Sequence, residues 1–183
     1  MLFRSMPAPR HLARRPREAP REIAILAILL GHPTLLERHF EEIAAIELTA
    51  PTLAAFRDRL FGLPEQAYGA AETLAEALES AGLADERDRI LRSAAAAPNW
   101  WCLRAEAGTS DAEHVLRQTM ALQRSSGALN RELKLAEKAL ADDFSEQNFA
   151  RLRDIRENLA NLAGAEAMVE GFGDGADRQG QLI

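Results

Sequence analysis

Side chains able to ligate a metal or act as a base are few in this 183-residue chain, and they are scattered. The four histidines, His11, His32, His39 and His114, form no HExxH pair. Cys102 has no second cysteine, which excludes an internal disulfide and a multi-cysteine zinc site within one chain. There is no glycine loop to cradle a phosphate between a strand and a helix, no GxSxG elbow, and no convincing strand on which to mount either. Asp142 and Asp143 are adjacent carboxylates, but in a polar turn between helices they read as a solvated loop rather than a metal pair. Asp85, Glu86 and Asp88 read as one charged helix face. No catalytic constellation emerges, so no catalytic, metal or cofactor-binding residue is assigned.

Charge argues next against nucleic acid. The formal net charge is −6, yet Arg4, Arg10, Arg14, Arg15 and Arg17 against Glu18 give the first twenty residues +4, leaving −10 for the rest. Residues 21–110 carry −6, and residues 111–163 hold eight Lys or Arg against nine Asp or Glu. Phosphate affinity needs clustered positive charge, so little direct nucleic-acid binding is expected of the folded part. The longest apolar run, Ile23 to Leu30, is far short of the eighteen or so residues a membrane span needs. The reading is a soluble, cytoplasmic, reduced protein that works through protein partners.

The elements that must present such a surface lie between Ser110 and Gly164. Val115, Thr119, Leu122, Ser126, Leu129, Leu133, Ala136 and Leu140 recur in steps of four and three, a heptad seam that predicts one long helix. Ser110 and Glu113 are placed to form a capping box at its start. After Asp142-Asp143-Phe144-Ser145, a second series runs Phe149, Leu152, Arg156, Leu159, Ala163, widened by Ile155 and Leu162, with Ser145 as N-cap. At about 1.5 Å per residue the first helix spans roughly 46 Å and the second about 27 Å. The shorter partner runs out near Gln123, so Val115, Leu116 and Thr119 must pack on the domain upstream.

That domain reads as four or five short helices. Arg21 to Leu30 is almost wholly apolar and is placed at the centre, closed by Gly31 at C′ with Pro33 beyond. A helix from Pro33 presents Leu35, Leu36, Phe40, Ile43 and Ile46. Thr49-Ala50-Pro51 starts a helix that buries Leu53, Phe56 and Leu60 and stops at Gly62. Pro64 to Gly69 is a loop or frayed turn; Ala70 to Ala81 buries Leu74 and Leu78 and ends at Gly82; Asp85 to Ala97 supplies Ile90 and Leu91. Trp100 and Trp101 stand just ahead of the long helix. One reading has a tryptophan plug the junction between bundle and stalk, the other makes it an exposed anchor.

The expected fold is therefore all-α: a small helical bundle, a long stalk helix and a C-terminal antiparallel hairpin. The divisions are 1–20, a basic proline-rich linker expected to be disordered; 21–124, bundle and start of the stalk; 125–164, hairpin; and 165–183, a flexible glycine-rich tail. Residues 1–5 match what a sequencing-adapter end would encode, which points to an assembly artefact and a truncated reading frame.

Several segments together resemble a known family. Residues 21–33 (REIAILAILLGHP), the tryptophan before the long helix, residues 129–134 (LNRELK), residues 148–152 (NFARL) and residues 170–173 (EGFG) follow the order and spacing of the C-terminal helicase-binding domain of bacterial DNA primase, in its alphaproteobacterial form. The resemblance covers almost everything after Arg21. It implies a bundle that modulates the replicative hexameric helicase and a hairpin that docks on the helicase N-terminal domains, recruiting primase for primer synthesis. The zinc-binding domain and the polymerase domain with its acidic metal-binding residues have no counterpart here, so the zinc and magnesium of a full-length primase are not expected, and neither is primer synthesis. A free-standing helical scaffold, self-associating through Val115 to Leu122, is the rival; the main reading expects a monomer.

Geometry nominates the contact residues. Leu129, Leu133, Ala136 and Leu140 are expected to close against Phe149, Leu152 and Leu159. That leaves Leu135 and Ala139 off the seam, Phe144 in the turn, and Lys134, Lys138 and Arg151 flanking the tip. Ser125-Ser126-Gly127 interrupts the long helix, either as a hinge or as a close approach to Ala160 and Gly164.

Overall fold

The computed structural model describes residues 20–96 and 107–169, the last five by backbone alone. Every regular element among them is helical. α1 (Pro20–Gly31) buries every side chain from Ala24 to Leu30. A helix apolar all round has no solvent face to offer and must sit at the centre. α2 (Thr34–Arg38), α4 (Pro51–Phe61), α5 (Ala71–Ser80) and α6 (Ala84–Ala95) pack around it. Leu35, Leu53, Phe56, Leu60, Leu74, Leu78 and Ile90 fill this core.

The local signals explain most boundaries. Pro51 sits at N1 of α4, where its missing N–H costs nothing. α5 ends in a Schellman motif: Gly82 adopts φ 68°, its N–H donates to Glu79 O at 2.9 Å, and Leu83 N–H donates to Leu78 O at 2.8 Å. Gly31 is different. It is the last residue of α1 without a positive φ, and His32 N–H continues the ladder to Ile28 O, so Pro33 rather than a left-handed glycine ends that helix. The segment expected as a loop at Pro64 to Gly69 holds a 3₁₀ turn, Glu65–Gly69, pinned by the buried Tyr68 hydroxyl donating to Leu60 O and Leu63 O.

Two helices differ from expectation. The helix starting near Pro33 breaks at His39, where φ is −117° and ψ 22°, and resumes as α3 (Phe40–Ala44). The break turns the His39 ring inward and leaves Phe40 43% exposed, tilted against Phe61 with ring centroids 4.6 Å apart. In α6 Ile90 and Ala94 are buried, whereas Leu91 faces out.

α7 (Thr109–Asp142) is one unbroken helix of 34 residues, and α8 (Glu146–Val169) returns alongside it. Gly164 does not stop α8, because the Ala-Glu-Ala-Met that follows favours helix. α7 serves two partners with two stripes. Ala112, Leu116, Met120 and Gln123 face the bundle, while Leu133, Ala136 and Leu140 face α8, roughly a third of a turn around the axis at about 100° per residue. The single seam expected from the heptads is thus split. Leu116 and Thr119 are covered by the bundle, as the length argument required.

In the hairpin, Ala136, Leu152 and Ile155 form a small core, edged by Leu133, Leu140 and Leu159. Phe149, Arg156 and Ala163 are exposed, so the α8 stripe is Leu152, Ile155, Leu159 and Leu162, offset from the expected one. The Gly127 close approach is not made: a Cβ there would meet Glu47 Oε2 at 3.7 Å, and one at Gly164 would meet nothing within 4 Å.

Candidate partner-binding surface

The base of the stalk is tied to the bundle by polar contacts. The expected capping box is absent: α7 has Gly108 as N-cap with no side-chain cap bond, and Ser110 lies within the first turn. Glu113 faces the bundle instead. It accepts hydrogen bonds from His39 Nε2 at 2.9 Å and Arg38 at 2.5 Å, with Arg117 one turn along at 3.1 Å. The other ring nitrogen of His39 lies 3.4 Å from Glu42, which also pairs with Arg124 at 3.0 Å. Arg131 pairs with Glu47 at 2.5 Å.

The hydrogen bond from His39, helped by Arg38 and Arg117, holds the Glu113 carboxyl below the usual range. Arg124, then His39, does the same for Glu42. A depressed folded-state pKa contributes stability above the unfolded value and loses it as pH falls through the folded one. Stability is therefore expected to drop as pH falls from about 5 towards 3. Glu113→Gln should flatten that dependence, read as urea midpoints across the range; an unchanged pH profile would contradict the assignment.

At the far end the turn is built by Asn148. Its amide donates to Asp143 O at 2.8 Å and to Ala139 O at 3.3 Å, while its backbone N–H reaches the N-cap hydroxyl of Ser145 at 3.4 Å. With the turn held from inside, Phe144 projects outward at 86% exposure. Leu135 is 62% exposed, Lys134, Lys138 and Arg151 are exposed, and Ala139 is half-buried at the helix interface. Phe149, assigned to the core by its spacing, joins them at 55%.

These residues do not form one patch. Arg156 pairs with Glu137 across the hairpin at 3.3 Å, which marks one flank. Phe149, seven residues before Arg156, shares that flank; Leu135, two residues from Glu137, points to the opposite one. The tip carries an apolar side chain on each flank and one at the apex.

Among the described residues no three His, Cys, Asp or Glu converge as metal ligands. His32 is buried and its Nε2 has no hydrogen-bond partner; His114 is on the surface beside Gln118. Asp142 and Asp143 are exposed. His11, Trp100, Trp101 and Cys102 lie outside the described residues. Also among the described residues, no helix is long and apolar enough to cross a membrane. No protein-family model, curated protein or solved structure matches the chain.

Proposed function

We propose that this chain is a protein-binding module that offers its hairpin tip to a partner, and that the partner is the N-terminal domain layer of a replicative hexameric helicase. In this reading it is the helicase-binding part of a bacterial DNA primase, acting in the cytoplasm and making no primers itself. The observation that carries the reading is where exposed apolar side chains occur. Of the five large hydrophobics exposed among the described residues, Leu135, Phe144 and Phe149 lie on the hairpin, beyond the reach of the bundle. A rigid hairpin with apolar anchors and cationic neighbours fits a protein surface better than a small molecule. The segments resembling the primase domain supply the choice of partner.

The test is size-exclusion chromatography with light scattering of the full chain, alone and mixed with the replicative helicase from the same source. Co-elution of a monomer with the hexamer is expected at micromolar concentrations. The double variant Leu135→Asp with Phe144→Asp should weaken the complex by at least about tenfold, or 1.4 kcal/mol, while leaving helicity unchanged. A stable homo-oligomer with no shift of the helicase would overturn the proposal in favour of the scaffold. Primer synthesis by the isolated chain would overturn its non-enzymatic part.

A further inference from the structure

A buried carboxylate where the start of α1, the start of α4 and the stalk meet plays no part in the proposed docking. Glu22, in the first turn of α1, is fully buried. Its Oε1 accepts hydrogen bonds from Thr49 N–H at 2.7 Å, the Thr49 hydroxyl at 2.6 Å and Gln123 Nε2 at 3.0 Å; its Oε2 accepts one from Ala50 N–H at 3.1 Å. Glu22 thereby satisfies the two backbone N–H groups that lead into α4 and, with the same group, grips the stalk. Gln123, 2% exposed, also donates to Glu47 O at 2.7 Å and accepts from Arg21 Nε, and Arg21 reaches Ser126 Oγ at 2.6 Å.

We propose that Glu22 and Gln123 form a register lock that fixes where α7 sits along the bundle, and so where the hairpin is held. The apolar contacts there specify the position less sharply. Ala112, Leu116 and Met120 are spaced a turn apart and include a small and a flexible residue, so a slip of one turn would return two of the three to the same core and bring Gly108 or Arg124 into the remaining place. The polar contacts do specify it. A slip of four residues brings Thr119 or Gly127 to the place of Gln123, and a slip of three brings Met120 or Ser126. None of these side chains can donate to Glu22 and Glu47 O together while accepting from Arg21. Every other register leaves a buried carboxylate short of a donor, as a buried polar residue fixes register in coiled coils.

The lock is tested by a distance within the chain, so its failure is separate from any failure to bind helicase. The full chain carrying Cys102→Ser takes spin labels at Glu76→Cys on α5 and Glu157→Cys on α8, both exposed positions. The parent should give one narrow distance. Gln123→Met keeps the shape and helical preference of the side chain but removes the donor, and should add a second distance displaced by about 5 Å, one helical turn. Leu116→Ala weakens the same interface through apolar contact alone and should keep the single parental distance. If Gln123→Met does not fold, Arg21→Met, which frees Gln123 and Ser126 while Glu22 keeps its donors, carries the same expectation. A single unshifted distance in the folded variant, an equal displacement in Leu116→Ala, or a broad distribution in the parent would each overturn the lock.

Discussion

Glu22→Ala is expected to lower the unfolding free energy by about 3–5 kcal/mol, a large fraction of what a domain of this size possesses. The cost does not come from losing a charge as such. It comes from the donors left behind: the Thr49 and Ala50 N–H groups at the start of α4 and the Gln123 amide on α7 all aim at this one carboxylate. Each buried donor without an acceptor costs about 1–3 kcal/mol; Thr49 is exposed and can turn to water, whereas Ala50 and Gln123 are buried and cannot. Glu22→Gln keeps the volume but turns an NH₂ towards other donors, so a smaller loss is expected. Urea denaturation followed by circular dichroism measures both. A loss below 1 kcal/mol for Glu22→Ala would mean that water replaces the carboxylate.

The second large effect is confined to the other core. Leu152 is nearly buried in a cluster that shares no residue with the bundle. Leu152→Ala is expected to cost about 2–5 kcal/mol, and the hairpin alone should bear it. Amide exchange should then accelerate in α8 by about thirty-fold to several thousand-fold, at about 1.4 kcal/mol per decade, while α1 and α4 stay protected. Under the proposed docking, helicase binding should fall with it, because the turn that presents Phe144 is held by the pairing of α7 with α8. Equal acceleration in α1 would show that the two cores open as one unit.

Legibility in the sequence followed the punctuation. Gly82, Pro51 and the turn at Asp143 to Ser145 each carry a backbone requirement that few residues meet, so the residue order alone places α4, α5 and the hairpin. Packing faces were harder. In a helix rich in leucine and alanine, Val115, Leu116, Thr119 and Met120 are all credible members of a stripe, and spacing alone cannot say that one set serves the bundle and another serves α8. Phe149 shows the same limit: hydrophobicity placed it in the core, whereas the offset of α8 puts it on the flank. The exposed positions of Leu135, Phe144, Lys134, Lys138 and Arg151 were legible because they fall off the α7 seam, in the turn, or on the polar faces. Glu22 was not. A glutamate beside Arg21 at the start of a helix reads as a solvated, dipole-favoured residue, and only the long-range approach of Thr49 and Gln123 reveals its burial.

The unbroken passage of α7 from one core to the other has a consequence for how related chains could differ. Between Arg131, the last α7 residue paired with the bundle in this network, and Leu133, the first to face α8 in the hairpin core, the helix has little of its own to pack. One residue inserted there would leave both cores intact, yet it would turn the hairpin by about 100° and advance it by about 1.5 Å. The compass bearing of the tip is thus encoded as a residue count, and short insertions or deletions at this point would re-aim the protein without redesigning either end.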